Sequence, residues 1–433
     1  MPPLAQTIWW LLRPVGLMEA CRRRYGDAFS LTFTGFDSPM VLMSDPEMIR
    51  ELYGSKEHGL PVGRTVSLLP LMGPGSLLLL EGAAHLERRK LMLPSFHGER
   101  LRAYEDGIRV IAEAEVASWR TGEEFAIRER MLAIALEAIL RVVFGVSDQS
   151  RLARLRVLMP ALMSSTSSVM LSLRVLLARK FGRPSPLERL AGLREEIDGL
   201  LLGEIAERRA SAERGDDVLS LLLDARFEDG TPICDRELRD HLVTLLLAGH
   251  ETTATGLAWT FELLLRNPLV LERLIASFAE GDGTYVRAVI SESLRLRPVV
   301  PLAGRTLASE LVAGGLALPA GSDVTPAIWL THTRADIYPE PYAFRPERFL
   351  DGAPSPYAWI PYGGGVRRCL GAAFAEQEMR IVLETVLTQI ELAPAGEPER
   401  IARRNVTFVP RHGTRVRVLR RLRANRVPVP SAA

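Results

Sequence analysis

Two segments of the 433-residue sequence place reactive side chains in otherwise unreactive surroundings. The first, Ala248–Thr253, reads AGHETT and interrupts a stretch rich in leucine. Inside a helix a glycine costs about 1 kcal/mol against alanine, and a buried carboxylate such as that of Glu251 needs a partner or a shifted pKa. The hydroxyl of Thr252 can bond the carbonyl four residues back, that of Ala248, and loosen the helix. The segment therefore supplies either an acid and a hydroxyl for proton transfer or a polar stripe that faces another helix.

The second segment is the loop Tyr362–Gly371, which reads YGGGVRRCLG. Its glycines give a backbone that is free to take positive φ and to pass close to a flat ligand. Cys369 stands just before the last long helical pattern, whose positive end favours a thiolate. A thiolate bound to haem iron favours O–O cleavage, and Arg367 could pair with a haem propionate. A lone cysteine is more often a structural residue, but the glycine spacing and the adjacent arginine favour a ligand.

Long helices are predicted to position both segments. Residues from Asp235 to Arg266 read as one helix, closed by Asn267–Pro268. At about 1.5 Å per residue it is about 48 Å long, so it should run through the middle of the molecule. Residues 85–295 are dominantly helical in pattern, and a final helix is predicted from about Ala372 to Ile390.

Short strands are predicted in Phe29–Phe33, Pro39–Met43, Leu316–Pro319 and Thr414–Val418. Ser44 or Asp45, followed by Pro46, is expected to cap a helix after the second strand. In the last strand arginine alternates with valine, which indicates an edge strand with a solvated face. No long Pro/Gly/Ser linker divides the chain, so a single domain over residues 1–433 is predicted, mainly α with small β-sheets.

Composition excludes several classes of protein. The apolar fraction of 47% allows a large core, and 54 Lys and Arg against 52 Asp and Glu give a net charge of +2, so no general attraction to nucleic acid is expected. The cysteines are Cys21, Cys234 and Cys369, without a Cys-x-x-Cys. This spacing argues against a disulfide framework or a cysteine-rich zinc site and suits a reducing, cytoplasmic compartment.

No transmembrane segment or secretory signal is predicted. The uncharged runs Val66–Leu80 and Val157–Leu173 are interrupted by proline together with glycine or hydroxyl residues. The second run could lie on a membrane surface, although a lid over an apolar pocket is the favoured interpretation.

The motifs and their order resemble the cytochrome P450 family over nearly the whole chain. Tyr362–Gly371 is similar to its haem-binding signature, F-x-x-G-x-x-x-C-x-G, and Ala248–Thr253 to its oxygen-activation motif. Glu292–Arg295 is similar to its E-x-x-R helix, and Pro346–Phe349 to the segment that supplies a further arginine, here Arg348. Glu292 and Arg295 alone would be a surface pair of little weight; the order of the motifs is specific. Tyr362 departs from the usual phenylalanine and adds a hydroxyl to the haem surroundings.

The resemblance implies a cytochrome P450 fold with haem b between the long central helix and the cysteine loop with the final helix. It implies that Cys369 ligates the iron. The residues expected to contact the haem are His85, Arg89, Ala248, Gly249, Arg305, Tyr362, Gly363, Gly365, Arg367 and Gly371. For His85 and Arg305 a solvated surface role is the alternative to a propionate clamp.

The implied reaction converts R–H, O2, two electrons and two protons to R–OH and water, by hydroxylation or epoxidation. Glu251 is expected to relay protons from solvent, and Thr252 to deliver them through a hydrogen-bonded water. The chain carries no flavin or nicotinamide module, so electrons are expected from NAD(P)H through a ferredoxin and its reductase. Arg368 could meet such a partner or be a plain surface residue. A monomer is expected.

The substrate class follows from apolar residues predicted to line the pocket, namely Leu68, Leu69, Leu247, Ala248, Val300 and Leu302. Such walls suit a terpenoid, a fatty acid, a steroid-like molecule or a polyketide. Three alternatives remain: a peroxide-driven peroxygenase, which does not need the Glu251–Thr252 relay; a haem-based sensor or carrier; and a helical interaction protein without haem.

Overall fold

The computed structural model describes residues 1–34, 38–54, 58–59, 72–145, 148–165, 186–211, 215–352 and 354–422. Helices account for most of this part of the chain. They are α1 (Pro3–Leu12), α2 (Pro14–Tyr25), α3 (Pro46–Gly54), α4 (Gly82–Met92), α5 (Glu99–Ala117), α6 (Ile127–Phe144), α7 (Gln149–Ser165), α8 (Pro186–Ala210), α9 (Val218–Asp224), α10 (Asp235–Leu265), α11 (Pro268–Glu280), α12 (Gly283–Leu296), α13 (Ile328–His332) and α14 (Ala372–Gln389).

The predicted central helix is confirmed as α10, which ends one residue earlier than expected with Arg266 as its C-cap. Apolar side chains around its whole circumference, among them Leu242, Val243 and Leu246, are buried. The helix packs against α6, α8, α12 and α14. Burial on all sides places α10 in the interior, as its apolar pattern requires. The final helix α14 matches its predicted bounds within one residue.

The strands form small sheets. They are β1 (Ala28–Leu31), β2 (Met40–Met43), β3 (His58–Gly59), β4 (Glu124–Ala126), β5 (Arg305–Leu307), β6 (Leu311–Ala313), β7 (Leu316–Leu318), β8 (Asp323–Pro326), β9 (Ile390–Pro394), β10 (Ile401–Arg404), β11 (Thr407–Pro410) and β12 (Arg415–Arg421). The largest sheet has the order β1-β2-β8-β5-β3; a second has the order β4-β12-β9, and β6-β7 and β10-β11 are hairpins. The prediction of a mainly helical fold with small sheets is confirmed.

The helix cap predicted after β2 is confirmed at Asp45. Its Oδ1 accepts the backbone N–H groups of Glu47 and Met48 at 2.9 and 3.2 Å. Since the first-turn N–H groups of a helix lack partners within it, this carboxylate fixes where α3 begins.

The prediction of an edge strand at residues 414–418 is wrong. Strand β12 lies between β4 and β9 and is paired on both sides. Val416 and Val418 are fully buried, while Arg417 lies on the solvent face and pairs with Glu124 of β4. The alternation of arginine and valine predicted the buried and solvent-exposed faces of the strand correctly. It carries no information about how many strands pair with it.

The apolar core has one main part and two smaller ones. The main cluster is centred on α10, α6 and α14, and the smaller clusters pack around the largest sheet, one of them with α2 and the other with α3. Within the described ranges, no helix is long and apolar enough to cross a membrane.

Candidate active site

Cys369 lies between a short 3-10 turn, Gly365–Arg367, and the start of α14. Its backbone N–H donates to the carbonyl of Tyr362 at 2.9 Å. Gly363 and Gly365 take φ values of +67° and +63°, a region that residues with a Cβ rarely adopt. These contacts close the loop so that the thiol stands at the amino end of the helix.

The middle glycine of the loop has a different role from the one predicted. Gly364 has an extended backbone, and a Cβ at this position would collide with the ring of Tyr53 on α3. Its close approach is therefore to a protein side chain. Among the described residues, the nearest atom to a Cβ placed at Gly363 is the methyl group of Ala303, at 3.9 Å.

The Cys369 side chain is exposed directly before α14. Burial nevertheless raises the pKa of the thiol; the Gly371 N–H and the charges of Arg89 and Arg368 oppose that shift. A hydrogen bond from the backbone and nearby cations both favour a thiolate. The surroundings therefore suit a sulfur anion, provided that a positively charged metal completes the balance.

Four of the predicted haem contacts form a cationic cluster. Burial, followed by the charges of Arg367, Arg89 and Arg305, lowers the pKa of His85 to about 4. Burial, followed by the charges of Arg305 and Arg89, lowers the pKa of Arg367 to about 10, and the charge of Glu81 opposes that shift. His85 and Arg305 are only 4% and 7% exposed, so the alternative of a solvated surface role is wrong for both.

This cluster has the chemistry of an anion site. Arg305 donates to the carbonyl of Gly364 at 3.1 Å, and Arg367 donates to the carbonyl of Leu80 at 2.6 Å. Backbone carbonyls orient these guanidinium groups but do not neutralise them. Two carboxylates, such as those of a haem, would relieve the mutual repulsion and pair with the guanidinium groups in a bidentate manner. The residues present therefore fit the cofactor that the resemblance implies.

Helix α10 has an opening in the middle of its buried length. Ala248 is exposed, and Thr252, one turn later, is partly exposed. The hydroxyl of Thr252 donates to the carbonyl of Ala248 at 2.7 Å, as predicted. Gly249 faces α6, where a Cβ would lie 3.0 Å from the Cδ1 atom of Ile139. The glycine therefore permits close packing of the two helices, and the small side chain of Ala248 leaves the open space.

Glu251 points to a different side and is part of an ion cluster that was missed in the sequence. Arg128 on α6 donates to its Oε1 at 2.9 Å, and Arg404 of β10 lies 3.3 Å from the same oxygen. Arg128 also donates to the hydroxyl of Thr255 at 3.2 Å. No spacing signal joins residues so far apart in the chain, and Arg128 is one of several charged residues in the first turn of α6.

The predicted network of Glu292, Arg295 and Arg348 is assembled. Arg295 donates to both carboxylate oxygens of Glu292, at 2.6 and 2.8 Å, and Arg348 donates to Oε1 at 3.3 Å. Glu292 and Arg295 are 0% exposed. The i, i+3 spacing that usually marks a surface pair here marks a buried one.

His332, which the sequence did not single out, joins this network to the cysteine loop. The carbonyl of His332 accepts from Arg295 at 2.8 Å, and its Nε2 accepts the N–H of Ile360 at 2.9 Å. Its Nδ1 therefore carries the proton and donates to the carbonyl of Arg295 at 3.2 Å. Burial, helped by the charge of Arg295, lowers the pKa of His332 to about 3. A neutral imidazole thus fixes the chain two residues before Tyr362.

The predicted substrate contacts are only partly described. Leu68 and Leu69 lie outside the described residues. Leu247 is buried in the main core, Leu302 packs against the cluster around α2, and Val300 is half-buried. Of the predicted pocket walls described, Ala248 has the most exposed side chain.

The buried Glu378 on α14 is expected to make the stability of the fold depend on pH. It is 1% exposed, and its Oε1 has no hydrogen-bond partner among the described residues. Burial raises the pKa of Glu378 from 4.5 to about 8. Between pH 4.5 and about pH 8, folding therefore takes up a proton at Glu378. The free energy of unfolding falls as the pH rises through this range.

We expect Glu378→Gln, which cannot ionise, to remove this loss. The variant should exceed the wild type in stability at pH 8 by on the order of 4 kcal/mol, measured by urea unfolding and compared with pH 5. Glu384→Gln is the control, because Glu384 lies on the same helix and pairs with Arg109 and Arg380. A wild type and Glu378→Gln with equal pH slopes would contradict the expectation.

Comparisons with known proteins agree with the motifs. The sequence model described as cytochrome P450 matches residues 3–417. A protein named putative cytochrome P450 135B1 from Mycobacterium tuberculosis is 41% identical over 428 residues, covering 95% of this chain and 89% of the relative. Putative cytochrome P450 137 from the same species is 40% identical over 399 residues, covering 91% and 83%.

Solved structures share the fold. Retinoic acid-bound cyanobacterial CYP120A1 matches with a TM-score of 0.83 and 24% identity, over 96% of both chains. The crystal structure of the cytochrome P450DA heme domain matches with a TM-score of 0.84 and 22% identity, over 98% of this chain and 97% of that one.

Proposed function

The chain belongs to the cytochrome P450 family of haem monooxygenases, and we propose that it inserts one oxygen atom from O2 into an apolar small organic substrate, using electrons from separate redox proteins. The observation that carries this proposal is the Cys369 thiol, which opens beside the cationic cluster of His85, Arg89, Arg305 and Arg367.

The cofactor proposed is haem b, with Cys369 as its iron ligand. His85, Arg89, Arg305 and Arg367 would hold the propionates. The remaining contacts proposed are Tyr362, Gly363, Gly365 and Gly371 on the loop and Ala248 and Gly249 on α10. When bound, the haem supplies dioxygen binding and the oxidising chemistry. The protein provides the cations that bind the propionates, provides the thiolate ligand and delivers protons.

Thr252 is proposed to orient the proton that the reaction consumes. Its own hydroxyl proton is engaged with the carbonyl of Ala248 at 2.7 Å, so its oxygen lone pairs remain free to accept a hydrogen bond from a water in the opening beside Ala248. A water held in this way directs its second proton into the opening. Glu251, the preceding residue, is proposed to replenish that water from solvent.

Electrons are proposed to come from NAD(P)H through a ferredoxin and its reductase. Arg368 is exposed and its charge acts on the Cys369 thiol, so an acidic partner that docks there would be close to the site.

The substrate is proposed to be apolar because the residues assigned to the pocket are apolar. The described candidates are Leu247, Ala248, Val300 and Leu302.

The direct test is a reconstituted turnover assay. The purified holoprotein is screened for spectral shifts with a small apolar library, and each binder is incubated with NADPH, a ferredoxin and its reductase under labelled dioxygen. Incorporation of one labelled oxygen atom into the product is expected. Turnover with peroxide alone and none with reductant and dioxygen would favour a peroxygenase; tight gas binding without oxidation of any binder would favour a sensor.

We expect Thr252→Ala to bind haem and substrate but to lose product formation by about 10²-fold, the scale of a positioned proton-transfer group. Electrons should be diverted to peroxide, measured as peroxide formed per NADPH consumed. Thr253→Ala is the matched control, because Thr253 makes the same type of bond, to Gly249 at 3.0 Å, and should retain coupling. Equal coupling in Thr252→Ala and the wild type would contradict this role.

A further inference from the structure

The two arginines at the end of β10 point to opposite sides of the β10–β11 hairpin. Arg404 points to α10, where its guanidinium lies 3.3 Å from the Oε1 atom of Glu251. Because successive side chains of a strand point to opposite faces, Arg403 points away from α10. Its cross-strand partner is Phe408, and side chains paired across an antiparallel ladder lie on the same face. Arg403 and Phe408 therefore share the second face of the hairpin.

This second face lies beside apolar residues that are predicted to line the substrate pocket. Phe408 belongs to the core cluster against which Leu302 packs. The N–H of Phe408 also donates to the carbonyl of Val299 at 2.7 Å, which fixes the hairpin next to Val300. Arg403 is therefore on the face of the hairpin that is anchored to two of the predicted pocket walls.

Arg403 is a partly buried cation without a counter-charge among the described residues. Its side chain makes no ion pair or hydrogen bond there, and burial alone lowers the pKa of its guanidinium. Other arginines that are withdrawn from solvent have a carboxylate: Arg128 pairs with Glu251, and Arg334 pairs with Asp27. Since a guanidinium carries five N–H donors and stays charged in proteins, Arg403 keeps all of its donors for a ligand.

A second polar group without a partner follows in the turn of the hairpin. Asn405 takes a left-handed φ of 54°, and its Oδ1 atom is buried without a hydrogen-bond partner in the part of the chain that the structure describes. Buried polar atoms are nearly always paired, so an unpaired amide two residues after an unpaired cation indicates a ligand. A side-chain amide carries both an acceptor oxygen and an NH2 donor group. Rotation about its last bond exchanges the two, which lets the amide donate to an anion.

We propose that the β10–β11 hairpin binds a carboxylate of the substrate, with Arg403 as its counter-ion and the Asn405 amide as a second donor. The proposal rests on the proposed function and narrows its substrate class to apolar carboxylic acids, such as fatty acids and terpenoid acids. The planar fork of a guanidinium fits a carboxylate in a bidentate manner, and the apolar body of the acid lies along Val300 and Leu302. An ester of the same acid fills the apolar walls but leaves Arg403 without a counter-charge.

The test is a set of spectral titrations of the holoprotein. The ligands are the straight-chain fatty acids from decanoic to octadecanoic acid and the diterpenoid abietic acid, each with its methyl ester. The wild type should bind at least one acid about 10-fold more tightly than its ester, the scale of a hydrogen bond to a charged group. Arg403→Gln should lose this preference through weaker binding of the acid, and Arg403→Lys should recover part of it. Asn405→Gly, which keeps the left-handed turn, should weaken binding of the acid by a smaller factor.

Arg411→Gln is the matched control, because Arg411 is an exposed arginine directly after β11, and it should keep the wild-type preference. Urea unfolding without ligand separates binding from a structural role. Arg403→Gln should keep the wild-type midpoint, since its side chain has no partner to lose among the described residues. Addition of the preferred acid should raise the midpoint of the wild type more than that of Arg403→Gln, because a ligand stabilises the folded state that binds it.

Three results would overturn the inference and leave the proposed function intact. They are equal affinity of acids and esters in the wild type, a preference that is unchanged in Arg403→Gln or equally lost in Arg411→Gln, and a lowered midpoint of ligand-free Arg403→Gln. A wild type that binds acids through Arg403 but oxidises no ligand in the reconstituted assay would overturn the proposed function instead.

Discussion

Replacing Arg295 by methionine is expected to lower the free energy of unfolding by about 3–5 kcal/mol, the cost of removing one partner of a buried ion pair. Arg295 donates to both oxygens of Glu292 and to the carbonyls of His332 and Pro341, both at 2.8 Å. Methionine fills similar space but satisfies none of these acceptors. Among the described residues, Glu292 would keep Arg348 at 3.3 Å and the N–H of Arg345 at 2.9 Å.

The measurement is urea unfolding followed by far-UV circular dichroism, together with the haem content of the purified protein. Arg345→Met is the matched control, because its side chain pairs at the surface with Glu340 while its backbone contact to Glu292 is retained. A surface pair is worth about 0–1 kcal/mol, so the control should stay near the wild type. Equal losses in the two variants would show that the buried network has no special weight.

The loss should also reach the cysteine loop. His332 receives Arg295 at its carbonyl and holds the N–H of Ile360 at its ring. When Arg295 is removed, the carbonyl of His332 loses the guanidinium that holds it. The imidazole that accepts the N–H of Ile360 is then less firmly positioned. We therefore expect Arg295→Met to contain less haem than Arg345→Met even under conditions where both are folded.

Replacing Cys369 by serine is expected to abolish monooxygenase activity and the spectrum of a thiolate-ligated haem, while the protein remains folded. A serine hydroxyl does not ionise where a thiol does, so it cannot supply the anionic ligand that the Gly371 N–H and the charges of Arg89 and Arg368 favour. Reduced protein with CO should lack the red-shifted Soret band, and product should fall below detection.

Cys234→Ser is the control for this substitution. Cys234 is exposed and lies directly before α10, where its side chain makes no cap hydrogen bond. It should keep both the spectrum and the activity. A Cys369→Ser protein that keeps the thiolate spectrum would assign the iron to another residue.

The helices and the polar segment of α10 were predictable because their signals are local. Apolar periodicity and the Asn267–Pro268 stop define α10 almost to the residue, and the hydroxyl bond from Thr252 to Ala248 follows from helix geometry alone. The cysteine loop was also predictable, since its glycines and its position before a helix are read from consecutive residues.

The contacts that the sequence did not yield are those between distant segments. Arg128 and Arg404 contact Glu251 because α6 and the β10–β11 hairpin pack on α10. The residues next to each arginine in the sequence give no signal of this contact. The same reason explains the wrong edge assignment of β12, whose neighbours β4 and β9 come from different parts of the chain. His332 was missed because its role depends on the path of the loop that returns to it.

The most direct test of the account is the spectrum of the wild-type protein, reduced and exposed to CO after expression with sufficient haem precursor. A thiolate from Cys369 predicts a strongly red-shifted Soret band that disappears in Cys369→Ser and persists in Cys234→Ser. A colourless protein, or a pigment whose CO band lacks that shift, would contradict ligation of haem iron by this cysteine and with it the proposed function.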